Sequence, residues 1–403
     1  MGEYSFFQDR SIESYKKSDF FFVVTMILLL GFGLFTQYFC TQNYAERMFN
    51  DSFYFVKRPL VCAFVGMIGF FVVACVRMKA IRKVLPVIFF TTLIMCLLTF
   101  IPAFSVEKNG ARRWLKLPFL PMAFTIQSSE FVKFTLVIFL ANLFDKQLSI
   151  TNPEERSVFP CVSVLMVFTA LILLQKDLST SVFVFGIALV LFIVAGLNIR
   201  WAFAVGLLAI PALILFITSE PYRLDRIVAF LRPDEGAHTF NYQSIAAKRA
   251  ISSGSVWGTG IGTGLVQSLK IPEVQADYIF AGWSEAMGLF GVIFYFGLLG
   301  LFSWRGYKIA LETEDRFAAF GTFGFVTTIL VQSLMNCAVV CGAIPTTGIP
   351  LPFFSLGGSS IIVTLCMCGF IVNASRNDDD LKNEEINVPK FEEVNINGVN
   401  VYE

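Results

Sequence analysis

Three carboxylates, Glu273, Asp277 and Glu285, fall within KIPEVQADYIFAGWSEAMGLFG, residues 270–291. The stretch reads as the end of a polar, glycine-rich loop running into an apolar helix, with Asp277 at its lip and Glu285 about two turns further in. A carboxylate kept at a membrane boundary costs free energy, so Asp277 is a candidate for proton transfer. Asp is also a favoured N-cap, and position alone leaves capping of the helix from Tyr278 equally open. Glu273 reads as shaping the turn, and Glu285 as a buried, hydrogen-bonded helix residue. A second cluster is cationic. ARRWLK brings together Arg112, Arg113, Trp114 and Lys116. Arginine grips phosphate through paired hydrogen bonds, and tryptophan offers an interfacial anchor or a sugar-stacking face. The plainer alternative is a solvated loop meeting lipid phosphates. Glu130 and Lys133 stand three apart, on one helix face. Their mutual neutralisation makes burial tolerable, so they read first as structural and second as part of a site.

Membrane helices must position these groups. The 403 residues are 56% hydrophobic and 15% charged, with 46 Phe. Apolar runs long enough to cross a bilayer recur. We read ten, at roughly 19–40, 57–76, 84–103, 127–144, 158–175, 179–197, 201–218, 278–303, 317–341 and 353–374. Backbone exposed to lipid must satisfy its own hydrogen bonds, which makes the runs helices and the fold class an all-α polytopic membrane protein. The first run is too long for a cleavable signal and lacks a small-residue cleavage site, so it reads as a retained span. A net charge of +1 offers nothing for nucleic acid. The nine cysteines are scattered, mostly in apolar runs, without metal-ligand spacing. His238 is the only histidine, which argues against a histidine-based metal site or triad.

Lysines and arginines in the short loops (Arg77, Lys79, Arg82 and Lys83; Arg200; Arg305, Lys308 and Arg316) place both termini in the cytoplasm. Residues 1–18 then form a cytoplasmic segment, 19–375 the membrane domain, and 376–403 an acidic tail whose composition predicts disorder. The opposite face receives loops at about 104–126, 219–277 and 342–352. Within the long loop, Tyr242–Ser253 has the spacing of an amphipathic helix lying on the membrane surface. GSVWGTGIGTG, which follows it, has neither a Walker lysine nor a Rossmann strand, so we reject a nucleotide site and read a flexible turn. Asp177, Ser179 and Thr180 suit the cap of the sixth span. GAIPTTGIPLPFFSLGGSS ends in Ser359 and Ser360, and its prolines and glycines sit at membrane depth only if buried in protein or lining a cavity.

Taken in order, NGARRWL, QSSEFVKFTLVIFLAN, LLQKDLSTS, YRLDRIVAFLRP, IPEVQADYIFAGWSEAMGLFG and PTTGIPLPFFSLGGSS closely resemble the SEDS family of shape, elongation, division and sporulation proteins. The resemblance spans nearly all of 19–376 and favours the division branch, FtsW, over the elongation branch, RodA. It implies a peptidoglycan glycosyltransferase that polymerises lipid II outside the cytoplasmic (inner) membrane, at the division septum. A class B penicillin-binding protein, the cross-linking transpeptidase, and other division proteins would be its partners. It also implies that Asp277 is the catalytic acid, that Arg112, Arg113 and Trp114 belong to a substrate-binding stretch with Lys116 beside them, and that Glu130, Lys133, Glu273, Ser359 and Ser360 support the site. Several positions depart from the family pattern: Gln275-Ala276 for His-Thr, Ser128 and Lys176 for prolines, Thr347 for a common lysine, and Leu356 for tyrosine.

The chemistry fits the residues. Transfer from a lipid diphosphate needs a base for the incoming hydroxyl and positive charge for the departing diphosphate. Asp277 can be the base and Arg112, Arg113 or Lys116 the charge. A divalent cation, Mg or Mn, could share that role, but no ligand set is visible. A lipid-linked flippase is the main rival, and a non-catalytic scaffold for the transpeptidase the third reading. The sequence has no evident inverted repeat, and its polar residues gather at one face, which favours a one-sided enzyme.

Overall fold

The computed structural model describes residues 19–376 except 109, 117–124, 153–154, 197–205, 208–217, 219–220, 232–241 and 267–273, and also describes 394–396 and 399–401. The expected seventh span and Glu273 therefore lie outside the described residues.

The described helices are α1 Phe20–Phe49, α2 Tyr54–Cys75, α3 Met78–Leu98, α4 Ser128–Leu148, α5 Phe159–Leu174, α6 Leu178–Val194, α7 Pro221–Leu231, α8 Tyr242–Gly254, α9 Ile279–Glu312, α10 Arg316–Val340 and α11 Gly358–Ala374. Five of them, α1, α2, α3, α9 and α10, are long and apolar enough to cross a membrane, while α5, α6 and α11 are apolar but shorter. Cap chemistry sets several boundaries. Asp19 accepts from Phe22 N at 3.0 Å to start α1, Asp315 accepts from Phe317 N at 3.0 Å to start α10, and Asp177 accepts from Thr180 N at 3.3 Å to start α6, as expected.

Successive helices run up and down, so the two ends of the bundle differ. At one end Arg82 bridges Asp145 and Asp315 while lying 4.6 Å from the Phe317 ring centroid. Arg305 pairs with Asp19 at the same end, and the Asp19 amide donates to Ser375 Oγ at 3.3 Å. These contacts tie α1, α3, α4, α9, α10 and the end of α11 together. The opposite end carries the irregular segments and Asp277. Small residues let α2 and α11 touch: Gly369 packs against the Phe70 backbone.

The all-α expectation needs one correction. The loop after α3 holds a three-stranded antiparallel sheet, β1 Ser105–Lys108, β2 Ala111–Lys116 and β3 Thr125–Gln127, in the order β1-β2-β3. Asn109-Gly110 between two short runs is a hairpin signal that counting apolar spans passes over, and Gly110 takes φ 71°. The register slips between Val106 and Glu107, which pair with Trp114 and Arg112, so Arg113 is the extra residue of a bulge in β2. Ala111 and Leu115 are buried, and Arg112 is exposed. After α11, a short pair of strands, β4 Val394–Ile396 and β5 Val399–Val401, occurs within the acidic tail; an isolated pair of this size is marginal in water.

Arg113 reaches the turn between α5 and α6. Its Nη2 donates to Lys176 O at 2.5 Å, and its Nη1 lies 3.5 Å from Asp177 Oδ1. Lys176 holds φ 62°, a left-handed conformation, and its amide donates to Leu173 O at 2.8 Å. Proline, which the family pattern has here, is locked near −65° and has no N–H. Lys176→Pro should therefore cost about 3 kcal/mol or more, seen as a lower melting temperature in detergent, whereas Lys176→Gly should be neutral or stabilising. A proline variant as stable as the wild type would show that the turn has another conformation.

Candidate active site

Asp277 stands at the entrance of α9, half-buried, and two amide side chains from other helices hold its backbone. Asn336 of α10 donates through Nδ2 to both Asp277 O and Ile349 O, each at 2.9 Å. Gln37 of α1 donates through Nε2 to Gln275 O at 2.9 Å and to Phe354 O at 2.6 Å. The Gln275 carbonyl also accepts from Leu356 N at 2.9 Å. The turn before α9 is thus stitched to the segment between α10 and α11. That segment is itself braced: Gln332 Nε2 donates to Pro350 O at 2.8 Å, and Leu351 N donates to Ser355 Oγ at 2.7 Å. Phe353 takes φ 67° there, its carbonyl packed on α1 at Gly33, where no side chain could fit.

This framework bears on the capping role left open for Asp277. The N-cap of α9 is Tyr278, and no side chain caps the helix. The Asp277 carboxylate lies instead against the 344–349 turn, with Oδ2 3.4 Å from the position a Cβ would take on Gly348. Among the described residues, the capping role is therefore absent.

Glu285 is buried, as expected, and its partners show what it does. Oε1 accepts from Leu265 N at 2.6 Å and Ser253 Oγ at 2.9 Å, and Oε2 accepts from Val266 N at 2.9 Å. The carboxylate thereby fastens the glycine-rich segment to α9. This corrects the flexible-turn reading of GSVWGTGIGTG. Gly288 breaks the α9 helix at φ 63°, ψ −160°, and Leu289 N donates out of the helix to Ser255 O at 3.0 Å. Gly258 and Gly288 let the two backbones touch there. Helix α8 is present as expected, but its Ala246, Ala247, Ala250 and Gly254 face packs on α9 and α10 rather than lying on lipid.

The remaining predicted residues divide. Glu130 and Lys133 form a buried pair at 2.7 Å, and Lys133 Nζ also donates to Gln332 Oε1 at 2.6 Å. Since Gln332 braces Pro350, the pair supports the segment beside Asp277 from within the bundle. Ser359 Oγ accepts from Gln127 N at 3.0 Å, tying the start of α4 to α11, whereas the buried Ser360 Oγ has no hydrogen-bond partner. Arg113 is committed to the α5–α6 turn, and the more exposed Arg112 pairs with Glu107 at 3.1 Å. Trp114 and Lys116 are partly exposed. Sequence reasoning missed Gln37, Gln332 and Asn336, whose signal was available: amides inside apolar runs are costly unless bonded. It also missed Arg58 of α2, whose Nη2 donates to Thr125 Oγ1 at 3.4 Å. Among the described residues no three Asp, Glu, His or Cys side chains converge as metal ligands.

Residues 19–380 match the family described as FtsW/RodA/SpoVE, cell cycle protein. The chain belongs to the FtsW/RodA/SpoVE family. It is 35% identical to Stage V sporulation protein E of Bacillus subtilis over 362 residues, 89% of this chain and 97% of that one. It is 32% identical to a Geobacter sp. (strain M18) protein named "Probable peptidoglycan glycosyltransferase FtsW" over 366 residues, 91% and 98% of the two chains. The fold is shared with a chain of a peptidoglycan synthase complex solved for the coordination of polymerization and crosslinking, with a TM-score of 0.69, 23% identity, and coverage of 89% of this chain and 98% of that one. It is also shared with the rod shape determining protein RodA of Thermus thermophilus, with a TM-score of 0.65, 22% identity, and coverage of 89% and 97%. As a FtsW/RodA/SpoVE protein this chain departs from the pattern at Gln275-Ala276. The contact made by Gln275 is through its carbonyl, which any residue supplies.

Proposed function

We propose that this chain is a peptidoglycan glycosyltransferase that polymerises lipid II, with Asp277 as the general base. The observation that carries the assignment of the base is the residue's setting at the irregular end of the bundle: its carboxylate makes no capping bond among the described residues, and side-chain amides of α1 and α10 hold the backbone carbonyls of Gln275 and Asp277. Family membership and FtsW-named relatives support the activity. Asp277 takes the proton from the acceptor sugar hydroxyl. The resulting oxygen attacks the anomeric carbon of the donor, and the bond to the diphosphate breaks, leaving a polyprenyl diphosphate. A single displacement inverts the anomeric centre. A base contributes on the order of 10²–10⁴-fold, and preorganised positive charge near the leaving group often contributes more.

The finer picture follows from the same reading. Ten spans place the Asp277 end outside the inner membrane, with both termini in the cytoplasm, and the prenyl chains stay in lipid while the sugars react above it. A class B penicillin-binding protein cross-links the product, and synthesis takes place at the division septum with other division proteins. The relatedness to a peptidoglycan synthase complex in fold, and to FtsW proteins in sequence, is what supports the partner and the branch.

One assay tests the activity: purified chain with its transpeptidase, labelled lipid II, and no other polymerase. Glycan chains are the expected product. Movement of lipid II across liposomes without chains would make the protein a transporter, and neither outcome would leave it a scaffold.

A further inference from the structure

Among the described cations, Lys57, Arg82, Arg112, Arg113, Lys133, Arg305 and Lys308 each form an ion pair with a carboxylate. Lys248 forms none among the described residues. It comes from α8, and the end of its side chain crosses the backbone at Gly342, a residue with φ 71° where a Cβ would overlap Lys248 Cε and Nζ. Arg226 comes from α7 and donates through Nη1 to Thr346 O at 3.1 Å. The two cations line one recess together with Ser244, Gly342 and Thr346.

The recess backs onto the proposed base. Thr346 and Gly348 are two residues apart, a separation of at most ~7 Å along the chain. Arg226 holds the first of them, and Asp277 Oδ2 lies against the second. Tyr278 lies within electrostatic reach of both Asp277 and Arg226. Between them Thr347 Oγ1 is buried without a hydrogen-bond partner. A planar guanidinium suits the oxygens of an oxyanion, and a lysine beside it adds a mobile point charge. Two cations and a serine hydroxyl gather on one side of a recess whose remaining wall, including Phe230, Ile245 and Ile344, is apolar, and the cations are the groups suited to phosphate oxygens.

We propose that the recess formed by Arg226, Ser244, Lys248 and the Gly342–Thr346 turn is a binding subsite for a diphosphate, seating that group of a lipid-linked sugar beside Asp277. The proposal rests on the glycosyltransferase reading for the identity of its ligand, though not for the anion chemistry. It moves the positive charge that the reaction needs from ARRWLK, where Arg112 and Arg113 are paired, to α7 and α8.

The test uses the full chain with its transpeptidase and the variants Lys248→Gln, Lys248→Arg and Asp277→Asn. Inorganic pyrophosphate should raise the melting temperature of the wild type and of Asp277→Asn, and this shift should be lost in Lys248→Gln. With labelled lipid II, Lys248→Gln should lower kcat/KM on the order of tenfold or more, and Lys248→Arg should recover most of it. A Lys248→Gln protein with the wild-type pyrophosphate shift and the wild-type kcat/KM overturns the subsite. So does a variant that merely melts lower while keeping both. If orthophosphate gives the same shift as pyrophosphate, the recess is a single-phosphate site and the diphosphate assignment is overturned. A wild type that shows the shift but makes no polymer overturns the glycosyltransferase reading alone.

Discussion

Asp277→Asn should leave a folded, partner-binding protein whose polymerisation of lipid II falls by about 10²–10⁴-fold, the share that a general base contributes. The substitution is nearly isosteric, and the contacts that place the residue are made by its backbone. Asn336 Nδ2 bonds the Asp277 carbonyl, and Gln37 bonds the carbonyl two residues earlier. With no capping bond to lose, the helix start should survive unchanged. The measured loss should lie in kcat more than KM, because the interaction removed is made in the transition state. Asn336→Ala is the companion measurement. It leaves the carboxylate in the protein but releases the joint between the turn at Asp277 and the turn at Ile349, so it should also lose rate. If Asp277→Asn polymerises at the wild-type rate, the base is another residue.

Lys133→Met carries the largest expected loss of stability. Lys133 and Glu130 are 4% and 3% exposed, so removing one partner leaves a buried, unmatched charge or forces its neutralisation. The cost is about 3–5 kcal/mol for such a break. Replacing both, as in Glu130→Leu with Lys133→Met, should recover most of the loss, because burying two ions is expensive to begin with. Activity should separate the variants differently. Both lose the bond from Lys133 to Gln332 Oε1, and Gln332 braces Pro350 in the segment beside Asp277. The double variant should therefore be stable yet impaired. Thermal unfolding in detergent, read beside glycan synthesis, distinguishes the two effects. Single variants as stable as the wild type would show that the pair is solvated, contrary to its burial.

Much of this was legible in the chain itself. Apolar runs of bilayer length predict helices because lipid offers the backbone no hydrogen bonds, and α1, α2, α3, α9 and α10 are such helices. Asp177 as the cap of α6 and the helix at 242–254 follow from local rules of spacing and capping. Glu285 as a buried, bonded carboxylate follows from its position inside an apolar run. Motif order placed the family. What local rules could not supply is who meets whom across the bundle. Arg112 and Arg113 are adjacent in sequence, but one pairs with Glu107 within the sheet while the other, the extra residue of a bulge, is consumed by a turn 63 residues away.

The residue types thus determined the membrane class and the family, and made Asp277 the acid proposed as the base. The tertiary structure decided which charges are already spent and what holds that acid in place. Asp277 could cap or catalyse by sequence, because both roles ask for a carboxylate before a helix. The fold starts the helix one residue later, at Ile279 with Tyr278 as the N-cap, and clamps the carbonyls of Gln275 and Asp277 with amides from α1 and α10, 238 and 59 residues away. Lys248 looked like one more basic residue on a surface helix. Its meeting with Gly342 depends on α8 packing against the end of α10, a contact no local pattern encodes, because electrostatic pairing is set by distances in space rather than along the chain.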